Sequence, residues 1–195
     1  MWPWEHLAFG YVLYSLYAHA RGRGSPLTVP VLFVLFATQF PDLVDKPLAW
    51  GLGVLPSGRS LAHSLLFATP AIALVGVTGV VARAPRVGPG FAIGYLSHLA
   101  GDVIYPLLVK GELHAGFLLW PIVPASDSGS LETFHHVREL LLDFLAFAAT
   151  SRGAAYLAFD GGLLLGALLL WVHDGMPGVR PVLDALTPPA TPERE

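Results

Sequence analysis

Long apolar runs alternate with short polar connections along most of the chain, and this pattern predicts membrane-spanning helices. A helix needs about 20 mainly apolar residues to cross a bilayer, and five runs approach that length. They cover residues 4–20, 27–41, 61–82, 87–109 and 154–172. The run 27–41 is short for a full span. The pattern therefore predicts an all-α integral membrane protein, a helical bundle of about five transmembrane helices.

Two further segments differ from these runs. Residues 131–149 place their charged positions on one helical face, which predicts an amphipathic helix at the membrane surface. In an alternative interpretation this helix is a lid over a polar site, with His136 near that site. Residues 176–195 are rich in proline, and we expect a disordered tail. The prediction is a single membrane domain, residues 1–175, followed by this tail.

The composition agrees with a membrane protein and excludes several other classes. Hydrophobic residues make up 54% of the 195 residues and charged residues 13%, against roughly 25% charged in a typical soluble domain. The net charge of -3 gives no basic surface for nucleic acid. Cysteine is absent, so disulfides and thiolate zinc sites are excluded. A bound metal must therefore use His, Asp, Glu or water.

Basic residues in the connections predict the orientation, because Lys and Arg near span ends are retained on the cytoplasmic side. The connections 21–26 and 83–86 each carry two arginines and no acidic residue. The connections 42–59 and 110–152 then face outward. We expect an integral protein of the cytoplasmic membrane with its N-terminus outside and its C-terminus inside. Residues 1–6 contain no Lys or Arg, so the first run is expected to be a retained span and not a cleaved signal.

His and Asp residues gather at the outward-facing ends of the apolar runs. Such residues are costly inside a bilayer and usually face the protein interior or a water-filled cavity. His98 and Asp102 are four positions apart, so one helical face presents both. Arg59 and His63 repeat this spacing at the start of the third run, and Asp42 follows the second run. We expect Asp42, His63, His98 and Asp102 to hold a divalent cation.

Either His6 or Asp45 completes the shell of this expected cation. Imidazole and carboxylate ligands suit zinc best, and also manganese or iron. Taken singly, each residue also has a structural interpretation. His6 and Arg59 can anchor span ends at the interface, the two aspartates can end a helix after Pro41, and His98 with Asp102 can be a hydrogen-bonded packing pair.

Four short motifs carry a family resemblance. They are FPDLVD (40–45), GRSLAHS (58–64), GYLSHLAGD (94–102) and FLLWPI (117–122). In this order they resemble the YdjM-type family of membrane-bound metal-dependent hydrolases, over about residues 1–122. The resemblance implies metal-site roles for His6, Asp42, His63, His98 and Asp102.

The chain departs from the family pattern at several positions. Gly58, Ser60 and Ala62 stand where the family has His, Gly and Thr in His-Arg-Gly-x-Thr-His-Ser. Asp42 and Asp45 are separated by one residue more than in the usual Asp-x-Asp. The departures keep His63 and Asp42 in place and leave Asp45 as the least defined ligand.

A cation held by His and Asp lowers the pKa of bound water towards about 7 and polarises a phosphoryl or carbonyl oxygen. At the outer membrane surface the most accessible esters belong to lipids. We therefore expect a hydrolase of a lipid or lipid-linked (phospho)ester, with Arg59 and Asp45 as catalytic residues and Arg59 suited to bind phosphate. Membrane lipids are the expected partners, with no nucleic acid. The alternatives are a divalent metal or proton transporter and a non-catalytic scaffold that uses the metal to hold its helices together.

Overall fold

The computed structural model describes residues 1–125 and 133–179. In this part of the chain all regular structure is helical, which confirms the all-α prediction. The seven α-helices are α1 (Pro3–Ala20), α2 (Thr28–Ala37), α3 (Phe40–Lys46), α4 (Leu65–Val81), α5 (Val87–Lys110), α6 (Thr133–Ala148) and α7 (Ser151–His173). A short π-helical segment covers Pro47–Gly51 and a 3₁₀ turn covers Gly116–Leu119.

Three segments of the described chain are long and apolar enough to cross a membrane: Thr28–Gly51, Val87–Val109 and Ser151–His173. α4 is apolar but has 17 residues. Large apolar side chains face outward, among them Leu74 on α4 and Leu169 on α7, which are 65% and 61% exposed. A large exposed apolar surface marks contact with lipid or a partner. The membrane helical bundle is thus confirmed, while the count of five spans stays a prediction.

α5 is the central helix and packs against α1, α2 and α4, while α1 also packs against α2 and α7. Glycines on α5 allow the close approach to α2. A Cβ atom at Gly90 or Gly94 would lie 2.9 or 2.5 Å from a backbone carbonyl oxygen of α2, a contact of the small-residue kind that joins helices in membranes. One turn later, the same register brings His98 against the carbonyl of Thr38. Helix packing therefore positions the first residue of the site.

The second predicted span, residues 27–41, is wrong in its extent. α2 ends at Ala37, and a separate helix, α3, begins at Phe40 with Pro41 in its first turn. Proline has no backbone N–H with which to continue the preceding helix, so the break falls just before it. Helical structure then continues as far as Gly51.

The third predicted span, residues 61–82, begins too early. α4 starts at Leu65, and Ser64 caps it by accepting the backbone N–H of Leu66. Residues 52–64 form turns and bends without a helix. The expectation that Arg59 and His63 share one helical face is therefore wrong, because both lie in this connection.

The predicted surface helix, residues 131–149, corresponds to α6, which packs against α7. The side chain of His136 lies outside the described part, so its lid role stays a prediction. The tail beyond Val179 also lies outside the described part. The predicted domain range stays a prediction as well.

Candidate metal centre

His98 is held in one tautomer by the break between α2 and α3. Its Nδ1 lies 2.6 Å from the carbonyl oxygen of Thr38. A carbonyl oxygen can only accept, so Nδ1 carries the proton and donates it. The other ring nitrogen, Nε2, is left with a free lone pair in the neutral ring.

His63 is oriented in the same way by a carboxylate. Its Nδ1 lies 2.8 Å from Oδ2 of Asp45, which is fully buried. Burial lowers the pKa of the His63 imidazole, but its contacts with the Asp42 and Asp45 carboxylates outweigh burial and raise that pKa. A carboxylate that binds one ring nitrogen fixes the tautomer and directs the other nitrogen to a ligand, as in many metal sites.

The two free nitrogens face each other. Nε2 of His63 and Nε2 of His98 are 3.1 Å apart, and both rings are fully buried. With both Nδ1 atoms protonated, two lone pairs point into the same small space. This contact is favourable only with a proton or a cation between the rings.

Two carboxylates approach the same point. Oδ1 of Asp42 lies 3.5 Å from Nε2 of His63 and 3.8 Å from Nε2 of His98. Oδ2 of Asp102 lies 3.6 Å from Nε2 of His63. Two imidazoles and two carboxylates form a donor set of charge about −2 that fits a divalent cation, with zinc, manganese and iron all compatible with the ligand types.

His6 completes the cluster from α1. Its ring is fully buried, and within the part of the chain that the structure describes neither ring nitrogen has a hydrogen-bond partner. Nε2 lies 3.3 Å from Oδ1 of Asp102, and the ring stacks on His98 with centroids 3.9 Å apart. Gly101 makes room for it, because a Cβ atom there would lie 3.2 Å from the His6 ring.

Two cations flank the carboxylates at the more exposed edge of the site. Nε of Arg59 lies 3.6 Å from Oδ2 of Asp102, and the side chain is 45% exposed. Nζ of Lys46 lies 2.5 Å from Oδ2 of Asp42, and the side chain is 33% exposed. Sequence reasoning missed Lys46, although its position four residues after Asp42 on one helix is a signal for an ion pair.

The structure brings all seven predicted site residues together, and Asp45 has the largest number of contacts with the backbone. This carboxylate accepts the backbone N–H groups of Ser60, Ala62 and His63 at 2.8, 2.8 and 3.2 Å, besides the ring of His63. Both of its oxygens are buried, and three of the four donors lie on Oδ2. These contacts position the loop and His63, and the catalytic role of Asp45 stays a prediction.

Contacts with α5 and with the FLLWPI segment hold the connection that carries His63. The hydroxyl of Tyr95 donates to the carbonyl of Ala62 at 2.5 Å. Ser64 donates to the carbonyl of Trp120 at 2.6 Å, and the ring of Phe117 lies edge-on to His63 at 5.9 Å. The motif residues 117–122 thus act as packing partners of the site.

A second buried polar cluster lies at the other end of α1. The carboxylate of Asp174, just after α7, accepts from Tyr11 at 2.7 Å and from Ser15 at 2.6 Å, and lies 2.7 Å from Nε2 of His19. Burial by itself would raise the pKa of Asp174, but these hydrogen bonds lower it. The cluster ties the end of α7 to α1.

The fold and the site define the class: a membrane-embedded helical bundle with His and Asp side chains buried between its helices. Within this class, the chain belongs to the YdjM inner membrane protein family, whose family model matches residues 1–176. The resemblance predicted from the four motifs is confirmed and extends through α7. Neither the comparison with curated proteins nor the comparison with solved structures gave a match.

Proposed function

We propose that this protein is a membrane-embedded, metal-dependent hydrolase that acts on a lipid or lipid-linked phosphoester. The observation that carries the proposal is the 3.1 Å contact between the Nε2 atoms of His63 and His98. Each ring has its other nitrogen committed to an acceptor, so the pair is prepared for a shared cation. Asp42 and Asp102 supply the matching negative charge.

The bound ion, zinc in the first instance, would be held by Asp42, His63, His98 and Asp102. Such an ion lowers the pKa of a coordinated water and polarises a phosphoryl oxygen. The protein fixes the donors in advance, because Thr38 and Asp45 hold the two imidazoles in the required tautomer. Preorganised donors need no rearrangement when charge develops in the reaction.

Arg59 and Lys46 favour a phosphoester over a carboxylic ester. Each pairs with a different carboxylate of the site and remains partly exposed. A phosphate group brings negative charge that a guanidinium can bind through two hydrogen bonds, whereas a neutral carboxylic ester offers no such charge. The exposed apolar surface of the bundle favours a substrate that arrives from the lipid phase.

A transporter would need polar groups along a route between the two ends of the bundle. His6 and His19 are 13 residues apart on α1, or about 20 Å along a helix. Between them α1 carries no other His, Asp or Glu. There it packs Tyr14 against Val31 and Val34 of α2. This stretch of α1 offers tyrosine and serine hydroxyls but no carboxylate or imidazole, which favours chemistry at one end over passage of a cation through the bundle.

Metal analysis of the purified protein tests the proposal. Wild-type protein should retain zinc or manganese, His98→Ala should lose it, and His114→Ala should behave as wild type, since His114 is exposed and pairs with Glu112. The metal-loaded protein should hydrolyse a member of a phospholipid and lipid-phosphate panel, lose this activity in chelator, and lose turnover without losing metal in Arg59→Gln. Full metal content in His98→Ala, or metal flux into proteoliposomes without hydrolysis, would contradict the proposal.

The proposal includes the orientation predicted from the loop arginines, with the site at the outer face. The chain has no cysteine, so single cysteines can be labelled cleanly. Val54→Cys, in the connection that carries the site, should react with an impermeant maleimide in intact cells. Ser25→Cys should react only after the membrane is permeabilised, and the reverse pattern would overturn the orientation.

A further inference from the structure

The two oxygens of Asp102 face different partners. Oδ2 lies 3.6 Å from Nε2 of His63, on the side of the cation proposed above. Oδ1 lies 3.3 Å from Nε2 of His6. The donors accordingly form two groups that share His98: Asp42, His63 and His98, and His6, His98 and Asp102, with one donor atom of each residue within 4.8 Å of the others in its group.

His63 and His98 have the geometry of two ligands to one ion. With a metal–nitrogen distance of about 2.1 Å, Nε2 atoms 3.1 Å apart subtend an angle of about 95° at a shared ion. Their ring planes are inclined by 61°, so the lone pairs can converge. This angle lies near those of octahedral and tetrahedral coordination.

His6 and His98 do not have that geometry. Their rings stack with centroids 3.9 Å apart and planes only 20° from parallel. The lone pairs of an imidazole lie in its ring plane, so in nearly parallel rings they run side by side. Nδ1 of His98 already donates to Thr38, which leaves this residue a single nitrogen for a single ion. His6 therefore cannot share the ion of His98 without leaving the stack.

We infer that the site holds a second divalent cation, bound by His6 and by Oδ1 of Asp102, with Asp102 bridging the two ions. The inference rests on the proposed function, because it adds an ion to the same centre. Two ions that each lie in the plane of one stacked ring are separated by about the stacking distance, and two-metal centres have their ions about 3.5–4 Å apart. The buried ring of His6 has no hydrogen-bond partner at either nitrogen among the described residues, and a bound ion supplies one.

Oδ1 of Asp102 already lies beside a positively charged group, which agrees with a cation site at this oxygen. The amino group of Met1 lies 3.0 Å from this oxygen, and an ion bound by His6 would replace it. Two divalent ions exceed the charge of the Asp42 and Asp102 carboxylates, so the loaded centre favours an anionic substrate. Paired ions stabilise the attacking and leaving oxygens of an in-line displacement, which is the chemistry of phosphoester cleavage.

Manganese titration of the detergent-solubilised full chain tests the second ion without reference to activity. Wild-type protein should bind two Mn²⁺ per chain and give the electron paramagnetic resonance spectrum of a spin-coupled pair. His6→Phe, which keeps a ring stacked on His98 but has no nitrogen, should bind one Mn²⁺ and give the spectrum of an isolated ion. His6→Ala should do the same, and His114→Ala should retain the coupled pair.

The outcomes separate this inference from the proposed function. A single Mn²⁺ per wild-type chain at saturation, with an uncoupled spectrum, overturns the second ion and leaves the metal-dependent hydrolase standing. Two coupled ions in both His6 variants also overturn it, because His6 is then not the ligand. Wild-type protein that binds neither Mn²⁺ nor Zn²⁺ overturns both proposals.

Discussion

Replacing Asp45 by Asn tests whether the structure assigns this residue correctly. The two side chains have nearly the same shape, but the amide has one acceptor oxygen and one donor group where the carboxylate has two acceptors. Three of the donors that Asp45 receives lie on Oδ2, and the fourth, from Ala62, lies on Oδ1. The amide oxygen should therefore face the three donors, and its NH₂ group should face the backbone N–H of Ala62.

Two effects of Asp45→Asn can be estimated. A buried N–H group that faces another donor and has no acceptor lowers the free energy of unfolding by about 1–3 kcal/mol. Loss of the negative charge behind His63 makes its Nε2 a poorer ligand, and removal of such an outer partner typically weakens metal binding by about 10–100-fold. The variant should fold, bind zinc with this lower affinity, and unfold at a lower temperature.

Competition with a chromogenic chelator measures the zinc affinity, and thermal unfolding in detergent measures the stability. Asp143→Asn is the matched control, because it removes the same negative charge from an exposed position on α6. If Asp45→Asn is folded and binds zinc as tightly as wild type, then Asp45 does not tune His63 and the positioning role is wrong.

Two further predictions concern the packing that surrounds the site. Gly94→Ala should lower the free energy of unfolding by about 1–3 kcal/mol and weaken metal binding, because the new Cβ atom would lie 2.5 Å from a carbonyl oxygen of α2. Gly166→Ala is the control and should have neither effect, since the space around Gly166 is open. Equal thermal unfolding curves for the two variants would contradict the close helix contact. Asp174→Asn should also lower thermal stability, by about 1–3 kcal/mol, with Glu112→Gln of an exposed pair as the neutral control. Since the pKa of Asp174 is lowered in the folded state, its contribution to the free energy of unfolding is full above the ordinary carboxyl pKa of 3.8 and is lost as pH falls through the folded pKa. If Asp174→Asn remains less stable than wild type by the same amount in acid, the charge of Asp174 has no such role.

The sequence was informative about helices and donors, for a simple physical reason. A bilayer accepts only backbone that is hydrogen-bonded within the chain, so long apolar runs must be helices. His and Asp within or beside such runs are rare enough to mark a site. The predicted ligands therefore fell together although the exact extents of two runs were wrong.

The parts that sequence reasoning missed depend on backbone geometry. Asp45 resembled a ligand because it is a carboxylate in the right motif, but its partners are backbone N–H groups of residues 60–63, whose direction no periodicity reveals. The connection of residues 52–64 is held by Tyr95 and by the carbonyl of Trp120, both distant in sequence. A pattern limited to one helix turn cannot detect such contacts.

The break between α2 and α3 is what links the fold to the proposed chemistry. Irregular backbone within a membrane is tolerated only where protein or a polar cavity covers it. Here the break leaves the carbonyl of Thr38 to accept from His98, while Asp42 approaches Nε2 of His63 and Asp45 accepts from its Nδ1. Thr38, Asp42 and Asp45 have the spacing i, i+4 and i+7, so a regular helix through residues 28–51 would also place them on one face, but the carbonyl of Thr38 would then accept the backbone N–H of Asp42. The break thus leaves one carbonyl for His98, and the helical spacing of Asp42 and Asp45 brings two carboxylates to His63.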